Sequence, residues 1–134
     1  MARRNGELLI LLVTSRETRR WVLPKGWTEE HVTAHEQAAR EAFEEAGILG
    51  SIDAEPIGAY AYPKRIAGGA SVTCEVDVFP LQVEELLDDW PERAERERRW
   101  FTLPEAAQAV QEGGLSQLML RLEQIAGGHE RPGA

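Results

Sequence analysis

Apolar and polar residues follow one another along the chain in a pattern that predicts short strands separated by helices. Glu7 to Thr14 is apolar at nearly every position, which is typical of a strand buried on both faces. Arg20 to Leu23 predicts a second, short strand that ends at Pro24. Ile52 to Tyr62 and Ser71 to Val83 predict two more strands, which form a hairpin.

The last third of the chain predicts one further strand and two helices. Trp100 to Leu103 is the strand, and a helix begins at Pro104 and ends at a Gly-Gly pair. A final helix from Leu115 to Ala126 carries apolar residues at the spacing of a core face. This order predicts an α/β fold, a mixed β-sheet covered by helices, in one domain over residues 1–126 with a flexible tail at 127–134.

The middle of the chain predicts a helix with well-marked ends. Thr33 and Glu36 have the spacing of a capping box, so the helix begins near Ala34. Gly47 suits the left-handed residue that ends a helix, which gives a length of about thirteen residues.

Three carboxylates of this helix indicate a divalent-metal site. Glu41, Glu44 and Glu45 are three and four residues apart, so they fall within roughly 100° of arc on one side of the helix. Like charges at this distance repel unless a cation joins them. We expect this stripe to face a cleft while the small and apolar residues pack on the core on the other side: Ala38, Ala39, Ala42, Phe43 and Ala46.

An ordinary solvated helix face is the alternative interpretation of these charges. Arg40 lies four residues before Glu44 and can hold its carboxylate by a charge-assisted hydrogen bond. Such pairs also occur on helices that do no chemistry. The glycine, the capping box and the carboxylate spacing together favour the metal site.

The same segment resembles the Nudix box of the Nudix (MutT-like) hydrolases. That pattern has a glycine, fourteen residues to an Arg-Glu pair, and then a hydrophobic residue, Glu-Glu and Gly at fixed spacings. The matching residues here are Gly26, Arg40, Glu41, Ala42, Glu44, Glu45, Gly47 and Ile48. One position departs, because Val32 stands where the family has a glutamate.

The resemblance implies an α/β/α sandwich and a Mg²⁺-dependent hydrolase, with Mn²⁺ as a substitute. The ligands it implies are Glu41, Glu44, Glu45 and the carbonyl of Gly26, and oxygen ligands of this kind suit Mg²⁺. Glu41, Glu44 or the downstream Glu97 could act as the base. The family usually has another strand ahead of the one at Glu7, and six residues precede it here, which leaves that strand open.

Within the family, the chain is most similar to the diphosphoinositol polyphosphate phosphohydrolases and the diadenosine polyphosphate hydrolases. The similarity lies in Leu8–Arg16, Arg20–Gly26, Glu84–Trp90 and Arg96–Phe101. It implies a small polyphosphorylated substrate and leaves the choice between the two open. The basic residues that we expect to bind its phosphates are Arg20, Lys25, Lys64 and Arg65.

Net charge, hydropathy and cysteine content indicate which partners and which compartment the sequence favours. A net charge of −8 argues against a nucleic-acid surface, and no apolar run is long enough for a membrane span. The single cysteine, Cys74, and the lack of an apolar secretory signal predict a cytoplasmic protein. A monomer and a homodimer both remain open.

Two other functions remain as alternatives to a small-molecule hydrolase. One is a Nudix domain that senses a nucleotide without turnover, against which the intact carboxylates argue. The other is an RNA 5′-end pyrophosphohydrolase, which the acidic balance disfavours.

Overall fold

The computed structural model describes residues 1–25, 32–65, 67–110 and 113–129, with side chains for all of these except 62, 64, 65 and 123–129. The helices are α1 (Ala34–Ala46), α2 (Leu103–Ala109) and α3 (Gly113–His129). The strands are β1 (Ala2–Arg4), β2 (Glu7–Thr14), β3 (Trp21–Val22), β4 (Ile48–Ile52), β5 (Gly58–Arg65), β6 (Ser71–Val78), β7 (Leu81–Leu86) and β8 (Arg98–Thr102).

Strand β2 lies at the centre of the main sheet. It pairs with β8 along one edge, and with β1 and β3 at the two ends of its other edge, always antiparallel. Its residues alternate between two cores: Leu8, Ile10 and Leu12 face α2 and α3, whereas Leu11 and Val13 face α1. The prediction of a strand buried on both faces is therefore confirmed, as is the α/β/α sandwich.

Strands β4 to β7 form one long hairpin that is interrupted halfway. β5 pairs with β6 next to the turn, and β4 pairs with β7 beyond the interruption. Two backbone bonds bracket the break, from Ile57 N–H to Val78 O and from Asp53 N–H to Pro80 O. The predicted hairpin is confirmed, but the strand predicted from Ser71 to Val83 is divided between β6 and β7. The strand predicted from Ile52 to Tyr62 begins only at Gly58, and β4 lies ahead of it. Both strands are interrupted because Pro56 and Pro80 cannot donate to the ladder.

The first residues add a strand that we did not predict. Ala2–Arg4 pairs with Glu7–Leu9 across a turn in which Asn5 and Gly6 have positive φ. Met1 donates its amino group to Leu81 O and accepts from Val83 N–H, which is the bonding pattern of parallel strands. All strand pairs between the described elements are antiparallel, so this contact supplies the parallel part of the predicted mixed sheet.

The helices lie where the sequence predicts them, but α2 and α3 end at residues other than the predicted ones. Helix α2 ends at Ala109, before the Gly-Gly pair at which we expected it to end, and begins with a complete capping box between Thr102 and Glu105. Helix α3 continues to His129, which takes in the first residues of the predicted tail from Gly127. Residues 130–134 lie outside the described part of the chain. No helix in the described ranges has both the length and the apolar character that a bilayer span needs.

Candidate active site

Helix α1 has the ends that its sequence predicts. The hydroxyl of Thr33 accepts a hydrogen bond from Glu36 N–H at 3.3 Å. Gly47 has φ 67° and ψ 33°, and its N–H reaches the carbonyls of Ala42 and Phe43. Both ends of the helix therefore lie where the local sequence predicts them.

One residue of the acidic stripe of α1, Glu45, is buried, contrary to our expectation, while Glu41 and Glu44 are half-buried. Glu45 is 5% exposed and Gln37 4%, and Ala42 is buried on the same side. Because a helix turns about 100° per residue, Glu45 lies only about 60° from Ala42 around the axis. The carboxylates thus run along the edge of the core, while Phe43, which we expected in the core, is half-buried.

Glu45 has two polar neighbours in this buried position. Its side chain is hydrogen-bonded with that of Glu41, and its Oε1 lies 3.5 Å from Nη1 of Arg96. Burial, together with the hydrogen bond to Glu41, raises the pKa of Glu45 to about 8, although the charge of Arg96 opposes the shift. Near neutral pH the buried Glu45 carboxyl group therefore keeps its proton.

Gln37 supports Glu41 from one helical turn earlier. Its Nε2 donates to Oε1 of Glu41 at 2.7 Å. Its own Oε1 is buried and has no hydrogen-bond partner. A buried amide oxygen of this kind lacks a donor that a bound water would supply.

The segment between β7 and β8, together with the first residue of β8, contacts the carboxyl end of α1. Trp90 Nε1 donates to the carbonyl of Glu45 at 3.0 Å, and Arg98 Nη1 donates to that of Ala46 at 2.7 Å. Glu92 N–H donates to the carbonyl of Glu44 at 3.1 Å. The guanidinium of Arg98 also stacks on Trp90, 4.0 Å from the ring centroid. These contacts satisfy carbonyls that a helix end leaves without partners.

The donor set fits a hard divalent cation in kind. Glu41 and Glu45 place two carboxylates side by side with half-buried Glu44 on the next turn, and all of these ligands are oxygen atoms. No group of three or more acidic, histidine or cysteine side chains with metal-binding geometry occurs among the described residues. Gly26, the fourth ligand expected from the resemblance, lies outside them. The described part of the site is therefore Glu45 hydrogen-bonded to Glu41, with Glu44 beside them on the helix.

The predicted base and phosphate-binding residues are placed as follows. Glu97 is 69% exposed and lies 3.9 Å from Arg19, whereas its neighbour Arg96 turns inward to Glu45. Arg20 is exposed and donates to the hydroxyl of Thr18. Lys25 is half-buried.

Three other predicted residues add little to this description. Arg40 is exposed on α1, and its pairing with Glu44 stays a prediction. Lys64 and Arg65, which we expected in a loop, belong to β5 and pair with Val72 and Ser71. Their side chains lie outside the described part of the structure.

A cavity of about 140 Å³ adjoins the buried face of α1. Ala38 and Ala42 form one wall, and the opposite wall comes from α3 and the interrupted hairpin. Among the side chains described around it, Asp77 is the one that carries a charge, and Tyr60 and Phe79 are aromatic.

Sequence reasoning missed four residues of this site: Gln37, Trp90, Arg96 and Arg98. Gln37 could have been found, because it lies four residues before Glu41 on the same helix. The other three come from a segment about fifty residues away, and their positions follow only from the pairing of β8 with β2.

A protein-family model and several curated relatives match the chain. The family model described as the NUDIX domain matches residues 1–122. Over 108 residues the chain is 40% identical to Nudix hydrolase 12, mitochondrial, of Arabidopsis thaliana, which covers 75% of this chain and 51% of that protein. It is 31% identical over 109 residues to mouse diphosphoinositol polyphosphate phosphohydrolase 3-alpha, covering 77% of this chain and 60% of the other. The chain thus spans about half the length of the curated relatives it matches.

Solved structures share the fold at low sequence identity. A Caenorhabditis elegans Ap4A hydrolase in a binary complex has a TM-score of 0.69 at 19% identity, covering 95% of this chain and 92% of that one. The NUDIX domain of Shewanella oneidensis NrtR, complexed with ADP ribose, has a TM-score of 0.65 at 17% identity, covering 92% and 82%. At these identities the likeness shows the fold alone.

The cytoplasmic location predicted from the sequence is contradicted by the relatives. Nudix hydrolases 12, 13, 16, 17 and 18 of Arabidopsis thaliana are named as mitochondrial. The reasoning failed because one cysteine excludes only an internal disulfide, which says nothing about the compartment.

Two independent observations agree on the family. The three-layer sandwich places the glutamates of the box helix together at the edge of the core, and the family model covers nearly all of the described chain. The chain belongs to the Nudix hydrolase family.

Proposed function

We propose that the protein is a metal-dependent hydrolase that cleaves a phosphoanhydride bond in a small polyphosphorylated metabolite. The observation that carries this proposal is the buried carboxyl group of Glu45, which is hydrogen-bonded to half-buried Glu41, with half-buried Glu44 beside it on the same helix. A buried carboxylate whose charge lacks full compensation is costly for the fold, so its presence favours a role in binding a cation.

In this proposal the glutamates of α1 bind the metal ion and accept the proton of the attacking water. Glu41, Glu44 and Glu45, with the carbonyl of Gly26, would hold Mg²⁺ or Mn²⁺, and Gln37 would orient Glu41. When bound, the cation would neutralise charge on the phosphates and would lower the pKa of the attacking water. Glu41 or Glu44 would take the proton of that water, while Glu97 would need to leave Arg19 to do so.

The basic residues near the box would bind the phosphates. We assign this role to Arg20 and Lys25, and to Lys64 and Arg65 at the end of β5. Arg16 and Arg19, which lie near Glu95 at 3.5 Å and Glu97 at 3.9 Å, are not included in this assignment.

Between the two substrate classes, the cavity beside α1 favours a dinucleoside polyphosphate of the diadenosine type. An inositol ring that carries many phosphates needs several cations around it. The described lining is apolar, with Asp77 as its charged side chain, which suits an uncharged planar base whose amino group can donate to a carboxylate.

Metal-dependent hydrolysis across a substrate panel tests this function. The panel contains diadenosine penta- and hexaphosphate, diphosphoinositol phosphates, ADP-ribose, nucleoside triphosphates and 5′-triphosphorylated RNA, each with Mg²⁺, Mn²⁺ or chelator. We expect cleavage of diadenosine polyphosphates that requires metal and falls roughly 100-fold or more in Glu44→Gln. Glu84→Gln, on an exposed position of β7, is the matched control and should leave the rate unchanged.

Other results would point to the alternatives. Tight nucleotide binding without turnover in the presence of metal would identify a sensing domain. Preferred cleavage of the RNA, with strong salt dependence, would identify a 5′-end pyrophosphohydrolase. An equal rate in Glu44→Gln and the unmodified protein would refute the metal-site assignment.

A further inference from the structure

Arg96 lies buried against the inner face of α1. Its side chain is 9% exposed, and its Nη1 is 3.5 Å from Oε1 of Glu45, whose side chain is 6% exposed. The same Nη1 donates to the carbonyl of Thr14 at 3.0 Å, and Nε donates to Oε1 of Glu92 at 2.7 Å. A planar guanidinium with partners on three segments cannot rotate without losing some of them.

The backbone that carries Arg96 is fixed on the central strand. Glu97 N–H donates to Oγ1 of Thr14 at 2.9 Å, and Thr14 N–H donates to the carbonyl of Glu97 at 3.0 Å. Directly afterwards, Arg98 enters β8 and pairs with Val13. Through these contacts Arg96 has a fixed position relative to β2, and it in turn holds the side chain of Glu45.

The positive charge of Arg96 lies so close to Glu45 that it could repel a bound metal ion as well as orient the carboxyl group. The contact of Arg96 with Glu92 shows which of these two effects is larger. The contact from Arg96 to Glu92 is 2.7 Å, against 3.5 Å to Glu45, so Glu92 compensates most of the guanidinium charge. Glu92 is also tied to α1, since its N–H donates to the carbonyl of Glu44. The net charge of the Arg96–Glu92 pair is close to zero, which leaves its geometric effect on Glu45 as the larger one.

We propose that Arg96 is a positioning residue that holds Glu45 in the orientation in which it joins Glu41 to bind the metal ion. The proposal rests on the proposed function for the identity of the ligands. Arg96 acts through its contact with Glu45. Outer residues that orient a metal ligand typically contribute 10- to 100-fold to metal affinity.

Mn²⁺ binding to the full chain, measured without substrate by electron paramagnetic resonance of the free ion, tests the proposal. Arg96→Gln should weaken Mn²⁺ binding about 10- to 100-fold. In a Glu45→Gln background the same substitution should change affinity less than about twofold, because the group that Arg96 positions is gone. Arg16→Gln is the matched control: Arg16 lies 3.9 Å from the same Glu92 but is exposed, and its loss should leave Mn²⁺ affinity unchanged.

Arg96→Lys provides a second variant that keeps the charge and the fold. It loses the fork that contacts three partners, so we expect an intermediate loss of Mn²⁺ affinity, again absent in the Glu45→Gln background. Circular dichroism establishes that each variant is folded before the titration.

The outcomes separate this inference from the proposed function. Unchanged Mn²⁺ affinity in Arg96→Gln and Arg96→Lys, or an equal loss in both backgrounds, would overturn the positioning role. Mn²⁺ binding that depends on Arg96 and Glu45 without cleavage of any substrate would support the positioning role and refute the hydrolase. An unmodified protein that does not bind Mn²⁺ would refute both.

Discussion

Glu45 is the residue whose observed burial differs most from the exposure that the sequence predicts. The sequence predicts a carboxylate exposed to a cleft, and the structure buries it between Glu41 and Arg96. Its substitution consequently affects stability as well as chemistry, whereas half-buried Glu44 can be changed with less effect on the fold.

The raised pKa of Glu45 predicts how the stability of the metal-free protein depends on pH. The folded state holds the proton up to about pH 8, while the unfolded chain releases it near 4.5, so the folded state binds more protons between these values. Its stabilising contribution is fully present below pH 4.5 and is lost as pH rises toward 8. We expect the Tm in chelator to fall by several degrees more from pH 5 to pH 8 than it does in Glu45→Gln.

Mn²⁺ should reduce that decline of the Tm, because the cation would take the place of the proton on Glu45. Thermal unfolding at pH 5, 6, 7 and 8, with chelator and with Mn²⁺, gives both curves. Parallel pH profiles for the unmodified protein and Glu45→Gln would contradict the burial of a protonated carboxyl.

At the scale of elements, the important contact is between the end of α1 and the segment that precedes β8. Gly47 makes this contact possible. It has φ 67°, and a Cβ atom added there would lie 2.9 Å from the side chains of Trp90 and Arg98. The same two residues hold the carbonyls of Glu45 and Ala46.

Gly47→Ala should therefore destabilise the protein by about 2–3 kcal/mol, through backbone strain and displacement of Trp90 and Arg98. Gly6→Ala is the matched control. Gly6 has φ 81° with open space around its Cβ position, so only the strain of about 1–2 kcal/mol applies. Urea unfolding measures both free energies. Equal losses would show that the contact with Trp90 and Arg98 has no energetic importance.

At the scale of the molecule, the break in the long hairpin opens the cavity between α1 and α3. Residues on both sides of the break, Ile57 and Phe79 among them, line it. The cavity adjoins the carboxylates through Ala38 and Ala42, which are neighbours of Glu41 and Glu45 on the helix. Only the assembled layers create this space.

Filling the cavity should change substrate preference. We expect Ile57→Phe to raise KM for diadenosine polyphosphates about tenfold or more, with a much smaller effect on diphosphoinositol phosphates. Leu49→Phe, at a position of β4 that is 41% exposed and outside the lining, serves as the control. Steady-state kinetics on both substrates measure the difference. A rise in Tm with unchanged KM values would show a packing void instead.

The sequence by itself determined those features that depend on neighbours along the chain. The ends of α1 follow from Thr33 and Gly47, the burial of β2 from its unbroken apolar run, and the grouping of Glu41, Glu44 and Glu45 from helical spacing. These are local effects of backbone geometry and side-chain chemistry, so they can be predicted from the sequence without knowledge of the fold.

The tertiary structure alone decided which way the carboxylates face and what surrounds them. The pairing of β8 with β2 brings Arg96 to Glu45, and the packing of α1 on the sheet turns Glu45 inward. Neither could be inferred, since residues fifty positions apart meet only when long-range contacts form, and the same helix could place either flank of its acidic stripe against a core.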